Sequence, residues 1–451
     1  EPRMRALNEK FMKNTPINRQ TVSNAIVSSG ITDLGRASIR EIVKLVNVLR
    51  RETGVEFIRM EMGVPGLPSA EVGVRAEIEA LRRGVASDYP DIEGLPEMKT
   101  EASKFVKNFL DVSVKPECCV PTGGAMMGGM ASFMVANRND HTKEGTLFID
   151  PGFPVQKTQT RILGQDFRSF DVYNYRGEKL GPKLESILEC GKVSTLLYSN
   201  PNNPSWICFT DDELRTIGTL ARKYDVIVIE DLAYFGMDFR EDYSVPGQPP
   251  FQPTVAKYCD DYILLISSSK IFSYAGQRIG LLVMSDHLYN RRYTDLLRYY
   301  STDIFGRAMI FGALYALSSG VSHSAQYGFT AILKAVNEGL YNFVDNTRVY
   351  GEKAAKMKEM FTRNGFSIVY DMDIDRPVAD GFYFTISYPG LSGGELLQEL
   401  LSYGIAAITL NICGSERHEG LRACVSQVRK SQLPLLEERL TLFSENNPIG
   451  K

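Results

Sequence analysis

Between about residues 120 and 285 the sequence alternates short apolar runs with helical stretches, and this pattern narrows the choice of fold more than any other feature. The runs are Thr146–Ile149, Thr195–Tyr198, Val226–Ile229, Tyr262–Ile266 and Ile279–Val283. They are β-branched and continuous rather than alternating, as in strands covered on both faces. Between two of them Leu214, Ile217, Ala221 and Tyr224 share one helical face, and Thr210 with Glu213 has capping-box spacing. Strand–helix–strand order of this kind predicts a three-layer α/β domain with a mostly parallel central sheet.

The flanks read differently. Residues 1–60 are expected to be polar helix, with Ile39, Ile42, Val43, Val46 and Leu49 at helical spacing. Gly63, Pro65, Gly66 and Pro68 mark a loop over Glu61–Pro68. Helices are predicted over Ala70–Arg83 and Glu97–Leu110, with a loop at Pro90, Gly94 and Pro96 between them. After about residue 310 come long helical stretches (Ala308–Leu317, Ala331–Met360) and strand candidates at Phe366–Tyr370 and Phe382–Ser387. The expected organisation is an N-terminal arm (1–65), a large α/β domain (66–310) and a smaller C-terminal α+β domain (311–451).

Composition removes several classes of function. Of 451 residues, 43% are hydrophobic and 23% charged, which excludes intrinsic disorder and fibrous repeats. A net charge of −3 gives no sign of a nucleic-acid or membrane-surface partner. No apolar run approaches the roughly 18 residues of a membrane span. Glu1, Arg3, Arg5 and Lys10 do not read as a secretory signal. The seven cysteines are odd in number, form no C-x-x-C and include the adjacent Cys118 and Cys119, which points to reduced thiols and a cytoplasmic protein. The four histidines fall at no ligand spacing, so no metal site is expected.

Parallel α/β sheets present ligand sites in the loops at the carboxyl ends of their strands. Five segments hold chemistry there or in the smaller domain. Pro121–Gly129 is a glycine-rich turn opening an apolar helix; it can offer free N–H groups to an anion, or be a tight packing turn. Ser199-Asn-Pro-Asn-Asn-Pro204 is a rigid polar turn able to read a ligand, or simply a turn. Asp231 ends an apolar strand, where a carboxylate needs a partner or caps a helix. Lys270 follows the strand Tyr262–Ile266 among serines, with Arg278 eight residues on. A partly buried lysine there has a lowered pKa and can act as a nucleophilic amine, whereas most lysines are surface groups. Arg422 lies in an apolar stretch and needs an anionic partner, from outside or from an internal acid.

Singly, each segment has a plain structural explanation. In this joint order the chain resembles the fold type I pyridoxal-phosphate enzymes, and more narrowly the class I/II aminotransferase family, over roughly residues 60–430. Lys270 with Arg278 and Asp231 with Tyr234 are the most specific parts. The resemblance implies pyridoxal 5′-phosphate as cofactor, held by Lys270 as an internal Schiff base, with the freed lysine later moving the proton between Cα and C4′. It implies that Asp231 pairs with the ring N1–H, that Tyr234 and Asn203 hydrogen-bond O3′, and that Phe153 stacks on the ring. The phosphate is expected on the N–H groups of Ala125 and Met126, with Ser267, Ser269 and Arg278 around it. Tyr89 matches a tyrosine that reaches the phosphate of a neighbouring subunit, which implies a homodimer. Arg422 and Gly63 match the groups that hold the substrate α-carboxylate. The family's usual Thr-Gly after the Asn-Pro turn is replaced by Ser205-Trp206, so the single tryptophan is expected to reshape the pocket entrance.

The implied activity is transamination between an L-amino acid and a 2-oxo acid, with ping-pong kinetics. The same cofactor cage serves carbon–sulfur β-lyases and decarboxylases, and the residue pattern leaves that choice open. A cofactor-binding regulatory module is the alternative outside enzymology; the chain has no evident basic recognition helix. Arg298 lies near the region where a second arginine would read a dicarboxylate substrate, or it is a solvated helix-end arginine.

Overall fold

The computed structural model describes residues 12–450. The chain divides into two compact units, one of Glu1–Gly66, Tyr350–Asp371 and Asp380–Lys451, the other of Leu67–Val349 and Met372–Ala379. Residues 311–349, expected with the C-terminal domain, group with the larger unit, and the segment before Gly66 groups with the smaller one.

Counting strands along the chain from Ile58–Arg59 (β1), the larger unit holds a seven-stranded sheet. Its members are β2 (Cys119–Thr122), β3 (Gly145–Asp150), β4 (Asp166–Asp171), β5 (Val193–Ser199), β6 (Ile227–Asp231), β7 (Tyr262–Ser267) and β8 (Gly280–Met284). They lie in the order β2-β8-β7-β6-β5-β3-β4. β4, β3, β5, β6 and β7 pair in parallel, and β8 runs antiparallel to both β7 and β2. The mostly parallel sheet is therefore as the apolar runs predict, and Leu196, Val228, Ile229, Ile263 and Leu264 are completely buried in it.

Two strands carry no such signal. β2 contains Pro121 and β4 reads Asp-Phe-Arg-Ser-Phe-Asp. Both are edge strands, where a missing N–H is tolerated; β4 is also partly exposed to water, whereas β2 is buried throughout. The helix Asp211–Tyr224 has its capping box: Thr210 accepts from the Glu213 N–H at 3.1 Å, and Glu213 accepts from the Thr210 N–H at 3.0 Å. The long helix expected over Ala331–Met360 is two helices, His323–Asn337 and Phe343–Arg363. Gly339, with φ +72°, stops the first, and Asn342 accepts from the Asp345 N–H (3.0 Å) to start the second. Ala308–Leu314 is a π-helix flanked by short α-helical turns.

In the smaller unit the described part of the expected N-terminal helix is two helices, Arg19–Ser28 and Ile39–Thr53; residues 1–11 lie outside the description. Ile42, Leu45, Val46 and Leu49 bury one face of the second, each worth about 1.5–3 kcal/mol. The unit also contains β9 (Ser367–Ile368). β10 (Met372–Asp373) and β11 (Arg376–Pro377) form a hairpin that belongs to the larger unit. β12 (Tyr383–Ser387), β13 (Ile405–Ala406), β14 (Ile408–Thr409) and β15 (Leu421–Cys424) complete the smaller unit. Its antiparallel sheet has the order β14-β15-β12-β9, and β1 pairs in parallel with β13.

The hairpin is staked to the larger unit by one carboxylate. Asp373 takes Arg176 at 2.7 Å on one oxygen and Arg240 at 2.8 Å on the other. Arg176 also pairs with Glu213, Arg240 with Asp238, and Arg240 donates to the Pro377 carbonyl. All three carboxylates are buried, so each ion pair replaces lost hydration.

Candidate active site

Strand register brings the sequence-selected loops together in the larger unit. Ser199 at the end of β5 lies opposite Asp231 at the end of β6, and Asp231 opposite Leu265 of β7. The Asn200 N–H donates to the Asp231 carbonyl (3.1 Å). On the other side, Gly280 lies opposite both Ser267 of β7 and Thr122 of β2. The Asn-Pro turn, Asp231, the Lys270 loop and the glycine-rich turn thus share one end of the sheet.

Asp231 is buried. The Ala233 N–H donates to one of its oxygens at 3.1 Å, and Gln156 Nε2 to the other at 2.9 Å. Burial pushes its carboxyl up, while these two bonds and the positive charge of Lys270 pull it back. Both hydrogen-bond donors are neutral, and among the described residues Asp231 makes no ion pair closer than 4 Å. Lys270 is half-buried, its Nζ 5.7 Å from the centre of the Tyr234 ring. Gln156 escapes sequence reasoning; its one signal is a polar residue one helical turn after Phe153. Phe153, half-buried, caps the helix Pro154–Ile162 that aims Gln156 at Asp231.

The glycine-rich turn has the features of an anion cradle. The helix Gly124–Ala136 opens at Ala125 and Met126 with no side chain capping its N–H groups. Gly124 has φ +78°, and a Cβ there would lie 2.9 Å from Arg278 Nη2. Arg278 is exposed, donates to the Ala275 carbonyl and, among the described residues, has no acidic partner within ion-pair distance. Ser267 and Ser269, in the loop that begins at the end of β7, are buried, the Ser269 N–H donating to Ser267 Oγ (3.1 Å).

Asn203 is buried in the Asn-Pro turn, its N–H on Ser199 Oγ at 3.1 Å. Trp206 is fully buried, in the left-handed region (φ 65°), its indole edge-on to Tyr234 at 5.4 Å. The single tryptophan is therefore a packing partner of Tyr234. Trp206→Ala should destabilise the protein by about 3–5 kcal/mol, read as a lower denaturant midpoint.

Tyr89 is 88% exposed. Arg298 is exposed on a 3-10 turn, with Asp295 at 3.7 Å, so it is a solvated arginine.

Gly63 and Arg422 lie in the smaller unit, and Tyr383 links them. A Cβ at Gly63 would meet Tyr383 Oη at 2.3 Å, and the Arg422 guanidinium sits 4.4 Å over the Tyr383 ring. Arg422 is buried in β15, with Nη2 donating to the Glu61 carbonyl at 2.9 Å. Tyr383 carries no sequence signal for this role, because its place depends on β12 pairing with β15.

A lysine and a buried acid thus stand at the strand ends of a mostly parallel sheet, next to a glycine-rich turn and an exposed arginine. Residues 56–440 match the family model described as aminotransferase class I and II, and the chain belongs to that family. It is similar to the probable aspartate aminotransferase of Methanocaldococcus jannaschii, with 22% identity over 85% of this chain and 90% of that one. It is also similar to the LL-diaminopimelate aminotransferase of Natranaerobius thermophilus, with 24% identity over 86% and 92%. Among solved structures, a Thermus thermophilus aspartate aminotransferase mutant superposes with a TM-score of 0.71, at 17% identity over 90% of this chain and 97% of that chain. An aminotransferase from Mycobacterium tuberculosis gives 0.72, at 15% identity over 89% and 95%. The chain is an aminotransferase of the fold type I architecture.

Proposed function

We propose that the protein is a pyridoxal-phosphate-dependent transaminase that moves an amino group from an L-amino acid to a 2-oxo acid through Lys270. The observation that carries this reading is Asp231: a buried carboxylate on two neutral donors, with a lysine close enough for its charge to be felt. Such a group needs a cation beside it, and a protonated pyridine nitrogen is one. The bare helix N-terminus, Gly124 and Arg278 fit a phosphate in the same way.

When bound, pyridoxal phosphate supplies an aldehyde that condenses with amines and a ring that takes up the electron pair left at Cα. The protein's residues do the rest. Lys270 Nζ would hold the cofactor and, once freed, would carry the proton from the substrate Cα to the cofactor C4′. Asp231 would pair with the ring nitrogen, its orientation fixed by Gln156 and the Ala233 N–H. Tyr234, braced by Trp206, and Asn203 donate to the ring hydroxyl, and Phe153 covers one face. Ala125, Met126, Ser267, Ser269 and Arg278 bind the phosphate. Arg422 clamps the α-carboxylate with two parallel N–H bonds, and the backbone at Gly63 closes the same pocket.

The exposed ring of Tyr89 supports a homodimer in which it reaches the partner's phosphate. Seven free thiols support a reducing, cytoplasmic setting.

The test is to load the purified protein with pyridoxal phosphate and assay a panel of amino acids with 2-oxoglutarate. Parallel initial-rate lines and amine transfer are expected; release of ammonia or CO2 without transfer would overturn the reading. Gly124→Val should weaken cofactor binding about tenfold or more, since the side chain collides with Arg278 and fills the cradle.

A further inference from the structure

Glu61 is a fully buried carboxylate that no step above uses. Its Oε1 accepts a hydrogen bond from Arg59 Nε at 2.7 Å and lies 2.6 Å from Nη2 as an ion pair. Its Oε2 has no hydrogen-bond partner among the described residues. Burial pushes the carboxyl up, and the charges of Arg59 and Arg422 pull it down, so Arg422 lies within its field. Arg59 is held in turn by Asn47 Oδ1 at 2.8 Å.

The backbone here is pinned on both sides. The Met60 N–H donates to the Ala406 carbonyl (2.9 Å), and the Cys424 N–H donates to the Met60 carbonyl (2.8 Å). The next carbonyl along, that of Glu61, is the one that accepts from Arg422 Nη2. Glu61 therefore holds Arg422 through a fixed main-chain oxygen, while the pair with Arg59 fixes the side chain of the same residue. Because Arg59 occupies one oxygen of the carboxylate, the Arg59–Glu61 pair is close to neutral as a unit. It steadies a buried guanidinium without cancelling its attraction for an anion.

We propose that Arg59 and Glu61 are positioning residues for Arg422, holding its guanidinium in the one orientation that receives a substrate carboxylate. This rests on the assignment of Arg422 to that carboxylate. Asn47, Arg59, Glu61 and Arg422 form a single relay from the helix Ile39–Thr53 to β15.

The test uses the cofactor-loaded enzyme and two ligands that differ only by the carboxylate. These are 2-aminoisobutyrate, which has no Cα hydrogen to lose, and isopropylamine. Spectral titration of the bound cofactor gives a dissociation constant for each, and their ratio isolates the carboxylate's contribution. Glu61→Gln should shrink that ratio about tenfold and leave isopropylamine unchanged. Arg59→Lys, which keeps the charge but loses the fork, should do the same and serves if Glu61→Gln does not fold. Arg422→Ala should abolish the preference altogether. If Arg422→Ala abolishes it while the Glu61 and Arg59 variants keep it, the relay is wrong and Arg422 stands. If Arg422→Ala keeps it, the Arg422 assignment fails first. Equal weakening of both ligands by Glu61→Gln would mean a structural role only and would also overturn the proposal.

Discussion

Lys270→Ala should lower kcat by about 10⁴-fold or more, because in the proposed mechanism one substitution removes both the nucleophilic amine and the proton carrier. After borohydride reduction, mass spectrometry should find the cofactor on the Lys270 peptide of the parent protein and nowhere in the variant. The half-buried side chain makes the substitution mild for the fold, so thermal unfolding should change little. Turnover within tenfold of the parent would remove this lysine from the mechanism.

Asp231→Asn should keep the fold and lose about 10³-fold in kcat. The amide keeps the shape and the bond from the Ala233 N–H, but it has no charge to hold the ring nitrogen protonated. At contact distance and an effective dielectric near 20 that charge is worth about 4 kcal/mol, which converts to roughly three powers of ten. Cofactor affinity should fall as well, measured by equilibrium dialysis. A variant with near-parent kcat would show that the carboxylate serves packing alone.

Much of this architecture is legible in the sequence, for physical reasons that also explain the gaps. β3, β5, β6, β7 and β8 announce themselves because both faces of an inner strand must be apolar. Edge strands have no such obligation, so Pro121 in β2 and Arg168 and Ser169 in β4 hide them. The break at Gly339–Asn342 rests on local turn chemistry inside a stretch of helical periodicity, and the periodicity dominates the reading. Asp231 and Lys270 stand out because polar groups directly after apolar strands are unusual. Gln156, Tyr383 and Glu61 act through contacts 75, 39 and 361 positions away in the chain, with Asp231, Arg422 and Arg422 respectively, and no window of sequence contains both partners.

The path of the chain has a consequence for dissecting the molecule. The larger unit is not finished when its main segment ends at Val349; it still lacks Met372–Ala379, which arrives only after an excursion through the smaller unit. A fragment ending at Val349 would leave Arg176 and Arg240 each short of one buried carboxylate. During synthesis the same two guanidiniums must wait for Asp373 to emerge, so the larger unit cannot reach its final ionic bracing until Tyr350–Asp371 of the smaller unit has been made.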